Sequence, residues 1–187
     1  MLASCLPDTG EGMKELVFIN GTMGVGKTST CNELLRILSP SVFLDGDWCW
    51  NMSPFVVNDE TKAMVLGNIA FMLNSFLRCS LYHYVLFCWV MPCSSLVEEV
   101  LGRLDLSDAR FSLFTLTASE EALRKRLQND IESGKRDGDV LARSLERLPL
   151  YGGMDSRKID VSIKTPREAA EIVAASLGVT ASAGGAF

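Results

Sequence analysis

Positive charge is scarce in this chain of 187 residues. It carries 18 lysines and arginines against 23 aspartates and glutamates, which gives a formal net charge of −5 and a pI near 5.0. A domain that binds nucleic acid normally presents an excess of Lys and Arg on one face. The composition therefore argues against a nucleic-acid partner.

Histidine and paired cysteines are also lacking. His83 is the single histidine, and the six cysteines are scattered without CxxC pairs or other metal-ligand spacing. Cys31, Cys79 and Cys88 lie within apolar runs, so we expect small core residues in a protein of the reducing cytoplasm. His83 is more typical of a structural histidine than of a catalyst.

No run of the sequence is apolar enough to predict a membrane span. The most apolar stretch, residues 63–91, is interrupted by Asn68, Asn74, Arg78 and His83. The first twelve residues have neither the basic region nor the apolar core of a signal peptide. We expect residues 1–12 to be a flexible leader, 13–178 a single domain, and 179–187 a flexible tail.

The strongest motif that is present spans residues 21–28. Gly21, Gly26, Lys27 and Thr28 fit the pattern G-x-x-x-x-G-K-[ST]. The apolar run 15–20 precedes it, and after it Cys31, Leu34, Leu35 and Leu38 recur at helical spacing. A glycine-rich turn between a strand and a helix directs backbone N–H groups at phosphates. The predicted nucleotide-binding residues in this loop are Gly21, Thr22, Met23, Gly24, Val25, Gly26, Lys27, Thr28 and Ser29.

Two further signals that a nucleotide-binding protein could carry are missing. The chain has no N-K-x-D guanine signature, and no acid follows the apolar strand 84–90. Asp45 and Asp47 instead follow the second predicted strand, at the sheet edge where the phosphate loop lies. We expect Asp45, with Thr28, to hold Mg²⁺ and Asp47 to accept the proton of an attacking hydroxyl. The alternative is a polar turn.

Strand-like and helix-like segments alternate along the chain. Strands are predicted at 15–20, 41–47, 84–90, 110–116 and 158–163, and helices after Lys27, at 59–78, 93–104, about 138–148 and from Thr165 onward. Thr117 with Glu120 predicts a capping box that opens one further helix, and Thr165 with Pro166 and Glu168 predicts the start of the last one. This order predicts an α/β fold with a five-stranded parallel sheet covered by helices on both faces.

The loop, followed about twenty residues later by "FLDGD", resembles the small P-loop kinases, among them the shikimate, gluconate and adenylylsulfate kinases and the chloramphenicol phosphotransferase. "LERLPLYGG" is similar to the R-x-P-L-Y tail of shikimate kinase. The glycine triplet and substrate arginines of shikimate kinase are absent, and "VMPCSS" stands in the triplet's place. The resemblance implies an ATP- and Mg²⁺-dependent kinase that is not itself a shikimate kinase.

The resemblance also implies a helical lid at about residues 119–148. Within it, Arg126 is expected to stack on adenine, and Arg136 and Arg143 to neutralise charge on the transferred phosphate, as Lys27 would from the loop. Thr165 and Pro166 are expected to border the adenine. The basic residues of this segment are equally typical of a solvated helix face, which is the alternative.

The acceptor is predicted from the segment after the second aspartate. Trp48, Trp50 and Phe55 suggest a pocket for an apolar or planar molecule, or else a cover over the core. Between Asp47 and Gly102 only Lys62 and Arg78 are strongly basic, whereas an anionic acceptor normally needs arginines that bind it bidentately. We expect a hydroxyl of a neutral or weakly cationic metabolite or antibiotic, handled by a monomer or homodimer. A nucleoside or nucleotide kinase and a regulatory nucleotide-binding module remain alternatives.

Overall fold

The structure is a computed structural model that describes residues 13–179. Its strands are β1 (Lys14–Asn20), β2 (Ser41–Asp45), β3 (Tyr84–Cys88), β4 (Ala109–Thr117) and β5 (Arg157–Asp160). Its helices are α1 (Lys27–Ile37), α2 (Asp59–Arg78), α3 (Ser94–Leu101), α4 (Glu120–Glu132), α5 (Val140–Arg147) and α6 (Pro166–Ser176), with 3₁₀ turns at Gly46–Trp50 and Leu148–Tyr151.

The five strands form one parallel sheet in the order β2-β3-β1-β4-β5. Alternate residues of β1 face opposite sides, as the two-residue period of a strand requires. Val17 and Ile19 pack in the cluster that includes α1 and α6, whereas Leu16 and Phe18 pack in the cluster that includes α2 and α3. The predicted three-layer α/β/α fold is therefore confirmed.

The sheet order brings the proposed chemistry to one edge. In a parallel sheet all carboxyl ends meet on the same side, where ligands bind. β1 is central and leads into the phosphate loop, and the last residues of β2 and β3, Asp45 and Cys88, are paired beside it. The lid helices α4 and α5 follow β4, on the other flank of β1.

Several predicted boundaries differ from the structure. The predicted capping box of Thr117 and Glu120 is wrong, because Ser119 caps α4 by accepting a hydrogen bond from the Ala122 N–H at 3.2 Å. The capping box of Thr165 and Glu168 is confirmed. β2, β3 and β5 end two or three residues earlier than predicted, and β4 extends one residue further at each end.

The cysteines that were expected in the core divide into two groups. Cys31 and Cys88 are fully buried, whereas Cys79 is only partly buried because it follows the last turn of α2 at the surface. Within residues 13–179, no helix is long and apolar enough to cross a membrane.

Candidate active site

The phosphate loop joins β1 to α1 with a backbone that suits glycine. Gly26, directly before the first residue of α1, has φ +105°, in the left-handed region that side chains disfavour. A Cβ there would find no atom within 4 Å, so the loop backbone is open to a ligand. The free N–H groups and positive dipole end of an eleven-residue helix lie at this opening.

The loop forms one wall of a cleft of about 300 Å³, here called the phosphate-loop cleft. Residues Met23 to Ser29 line it, as predicted for a nucleotide site. Gly21 and Thr22 do not, because Thr22 is completely buried beneath the loop. The opposite wall comes from the lid and from the segment after β5, and its members are Arg126, Asp130, Arg136, Lys164, Thr165 and Pro166.

Lys27 is held under the loop by its own backbone. Its Nζ donates to the carbonyl of Thr22 at 3.0 Å, and its side chain is about nine-tenths buried. Burial lowers the pKa of this amine, and the nearby carboxylates of Asp47 and Asp45 partly offset that effect. A phosphate group in the cleft would supply the negative charge that a buried ammonium requires.

Thr28 and Asp45 form the candidate magnesium site. The Thr28 hydroxyl donates to a carboxylate oxygen of Asp45 at 2.6 Å, although 17 residues separate them in sequence. Among the described residues no group of three or more His, Cys, Asp or Glu could hold a metal. In kinase sites, phosphates and waters supply most of the Mg²⁺ ligands and the protein only one or two. These two residues fit such an ion.

Asp47 lies on the first turn after β2, not in the extended strand that was predicted. Gly46 permits this turn, since a Cβ there would meet the Trp89 ring at 2.6 Å. The other Asp45 oxygen accepts the Asp47 N–H at 3.0 Å. Solvent reaches the Asp47 side chain, but surrounding protein atoms partly desolvate it. This desolvation and the charge of Asp45 raise the pKa of the Asp47 carboxyl, whereas Lys27 and a hydrogen bond from Trp89 lower it.

A second, wider cleft of about 800 Å³ adjoins the first and is here called the aromatic cleft. The predicted acceptor residues Trp48, Trp50 and Phe55 all line it, together with Trp89. Asp47, Met23 and Val90 line both clefts, so they form the boundary between them. An acid therefore stands where a molecule in one cleft would meet a molecule in the other.

The lid arginines do not lie in one place. Arg136 lines the phosphate-loop cleft and pairs with Asp130 at 3.2 Å. Arg143 lines the aromatic cleft and pairs with Asp139 at 3.1 Å. Of the two, only Arg136 is positioned beside the phosphate loop in this structure; the role predicted for each remains a prediction.

Arg126 connects the lid to the base of the phosphate-loop cleft. Its guanidinium donates to the carbonyls of Val25, Val161 and Ser162, and it lines the cleft with Thr165 and Pro166. The planar side chain is thus fixed between the loop and the segment after β5. An arginine held in this way can offer a flat cationic face to a nucleotide base.

Arg126→Ala is expected to weaken ATP binding about tenfold, because it removes this cationic face and frees three carbonyls. Isothermal titration calorimetry with a non-hydrolysable ATP analogue would measure the change. Arg124→Ala is the matched control, since Arg124 lies on the same helix but pairs with Glu120 at the surface. Equal affinities for the two variants would contradict the role of Arg126.

Ser144 links α5 to the phosphate loop through hydrogen bonds that were not predicted from the sequence. The buried Thr22 hydroxyl donates to the Ser144 carbonyl at 2.9 Å, and the Ser144 hydroxyl donates to the Met23 carbonyl at 2.6 Å. These contacts span more than 120 residues of sequence. α5 is therefore a fixed wall of the aromatic cleft.

Ser144→Ala is expected to lower the free energy of unfolding by about 1–3 kcal/mol, because the Met23 carbonyl loses its partner in a largely buried place. Urea titration followed by circular dichroism would measure it. Ser133→Ala, which removes an exposed hydroxyl bonded to the Asp130 carbonyl, should change stability far less. A similar loss of unfolding free energy in both variants would mean that the Ser144 hydrogen bonds do not hold α5 to the phosphate loop.

Other site residues were also missed from the sequence. Trp89 and Arg147 line the aromatic cleft, and Arg147 contacts the sulfur of Met23 at 3.4 Å. Asn20, at the end of β1, accepts the backbone N–H groups of Gly21 and Met91 and so fixes the loop against the segment after β3. A polar residue that ends an apolar strand was the one available signal for Asn20.

Fold and site together define a P-loop nucleotide-binding protein. The sequence pattern of the AAA domain family matches residues 17–146, and the chain belongs to that family. No curated protein matches the sequence.

Solved structures share the fold at low sequence identity. The tunicamycin resistance protein of Deinococcus radiodurans is 22% identical with a TM-score of 0.67, over 89% of this chain and 97% of that one. A gluconokinase from Sinorhizobium meliloti is 19% identical with a TM-score of 0.65, over 89% and 93%. The Mycobacterium tuberculosis APS kinase, solved with AMPPNP and APS, is 14% identical with a TM-score of 0.63, over 89% and 99%. The resemblance to small P-loop kinases is thereby confirmed for the fold.

Proposed function

We propose that this protein is an ATP-dependent kinase that transfers the γ-phosphate to a hydroxyl of a small molecule. The observation that carries this proposal is the position of Asp47, whose side chain lines both the phosphate-loop cleft and the aromatic cleft. A general base for transfer must reach a hydroxyl that itself faces the phosphate. A protein that only binds a nucleotide has no need of an acid at that boundary.

The reaction follows from the side chains at the boundary. Asp47 takes the proton of the acceptor hydroxyl while the oxygen forms a bond to the γ-phosphorus. The bond from that phosphorus to the bridging oxygen breaks, and ADP leaves. Lys27 and the loop N–H groups stabilise negative charge on the phosphates, and Arg136 is the lid arginine placed to add to them.

Thr28 and Asp45 would hold the Mg²⁺ ion, Thr28 through its hydroxyl and Asp45 through its carboxylate. When bound, the ion neutralises phosphate charge. The Asp45 carboxylate also accepts the Asp47 N–H, so one residue connects the metal site with the turn that carries the base.

The acceptor that suits the aromatic cleft is a neutral or weakly cationic alcohol, either a metabolite or an antibiotic. Two acids, Asp45 and Asp47, and two arginines, Arg143 and Arg147, line the cleft, so its formal charges cancel. Arg143 already pairs with Asp139. The remaining walls are aromatic and aliphatic apart from Asn51, which favours an uncharged or planar body. A gluconokinase among the structures with this fold is consistent with a hydroxyl acceptor, and a resistance protein with an antibiotic.

A coupled ADP-release assay over a panel of neutral alcohols, nucleosides and nucleoside monophosphates tests the proposal. A strong rise of ADP release with one class of neutral alcohol is the expected result. Release that does not depend on any acceptor would indicate a nucleotide-binding regulatory module instead. Phosphorylation of nucleoside monophosphates alone would refute the neutral acceptor and leave the kinase activity standing.

A further inference from the structure

A third cavity, of about 420 Å³, lies on the outer side of α2 and is here called the methionine groove. Its walls are formed by the 3₁₀ turn and the next few residues on one side and by α2 on the other. No charged residue lines it. The residues that matter here are Met52, Met64, Asn68, Phe71 and Met72.

The methionine groove adjoins the aromatic cleft. Trp48 and Asn51 line both, so one molecule can extend from one into the other across them. Asp47 directly precedes Trp48 in the turn. A molecule whose hydroxyl lies at Asp47 therefore reaches the methionine groove by passing Trp48.

The groove exposes three large apolar side chains to solvent. Phe71 is 71% exposed, Trp48 58% and Met64 46%. Met64 and Phe71 are seven residues apart on α2, so they lie on the same face of the helix. A connected exposed apolar surface beside a binding site is typical of a ligand-binding surface.

We propose that the acceptor is amphipathic, with a hydroxyl-bearing polar head in the aromatic cleft and an alkyl or acyl chain in the methionine groove. This inference rests on the proposed function for the role of the head. The chemistry of the two cavities matches such a molecule. The acids and arginines lie in the aromatic cleft, whereas the groove beyond Trp48 carries only apolar and amide side chains together with one thiol. Methionine side chains are flexible and adapt to chains of different length.

Chain-length dependence of binding tests the inference without any phosphate transfer. Methyl and octyl β-glucoside share one neutral head and serve as the probes, titrated below the octyl compound's micelle concentration. Tryptophan fluorescence is the readout, since Trp48 lies between the two cavities. The octyl probe is expected to bind on the order of a hundredfold more tightly, because seven methylenes each contribute about twofold in a half-open groove.

Two variants locate the effect. Met64→Ser combined with Phe71→Ser should remove most of the preference for the octyl probe, and both residues are exposed, so the fold should persist. Leu81→Ser changes an exposed leucine before β3, away from all three cavities, and should leave the preference intact. Equal binding of both probes, or an equal preference in all variants, would overturn the inference.

The remaining outcomes separate the two proposals. Tight octyl binding with no ADP release for any alcohol would refute the kinase and keep the groove. ADP release for short alcohols without chain-length dependence would refute the groove and keep the kinase. Sedimentation of the free protein tests whether a second copy of the chain occupies the groove instead. A dimer that dissociates in Phe71→Ser, together with binding that does not depend on chain length, would overturn the amphipathic acceptor.

Discussion

Asp47→Asn is expected to lower kcat about a thousandfold with ATP affinity unchanged. The amide keeps the size of the side chain and can still accept hydrogen bonds, but it cannot take the proton of an acceptor hydroxyl. Among residues 13–179 the Asp47 carboxylate makes no hydrogen bond to the phosphate loop, although its charge acts on Lys27, so the loop geometry that would bind ATP should be kept. Single-turnover ADP formation with saturating acceptor would measure the loss, and calorimetry with an ATP analogue would measure binding.

The melting temperature separates a catalytic from a structural effect of Asp47. Desolvation and Asp45 raise the pKa of the Asp47 carboxyl, so we expect its charge to contribute no stability to the folded protein. A neutral amide relieves that repulsion, so the variant should be no less stable than the wild type. Asp137→Asn, on the lid, is the control for a lost surface carboxylate. If Asp47→Asn retained full kcat, the proposed base would be wrong.

The sequence predicted the phosphate side of the site well because its signals are local. Lys27 and Thr28 follow the glycines directly, and Asp45 ends a strand whose direction the βαβ pattern determines. Once parallel strands are inferred, their carboxyl ends must meet, and the 2.6 Å contact of Thr28 with Asp45 follows from topology. No knowledge of distant packing was needed.

The lid was harder to predict because its contacts depend on packing between distant segments. Arg136 and Arg143 are seven residues apart in one basic run, yet they face different clefts because α5 begins between them, at Val140. The hydrogen bonds of Ser144, which hold α5 along the aromatic cleft, are made with residues more than 120 positions earlier in the sequence. The spacing of charged residues along the chain does not show which of these contacts form.

Only part of the acceptor side of the site could be predicted from the sequence, for a similar reason. Trp48, Trp50 and Phe55 were found because they follow the aspartates directly. Trp89 and Arg147 come from β3's end and from α5, and they reach the same cleft only through the fold. Arg143 and Arg147 lie outside the segment from Asp47 to Gly102, so the scarcity of basic residues in that segment described only one side of the cleft.

Lys27→Met is expected to reduce kcat/KM at least about a hundredfold and to weaken ATP binding roughly tenfold or more, because the ammonium that would bridge the phosphates is lost. The melting temperature should nevertheless stay level or rise. Burial lowers the pKa of Lys27, so the free protein holds a charge at an unfavourable place. Methionine fills a similar volume without that charge, and this gain offsets the hydrogen bond lost at the Thr22 carbonyl. Lys125→Met, on the exposed face of α4, removes the same charge and should leave kcat/KM, ATP binding and the melting temperature unchanged. Opposite shifts of activity and stability at Lys27 would identify a residue retained for phosphate chemistry, whereas a parallel loss of both would identify a structural one.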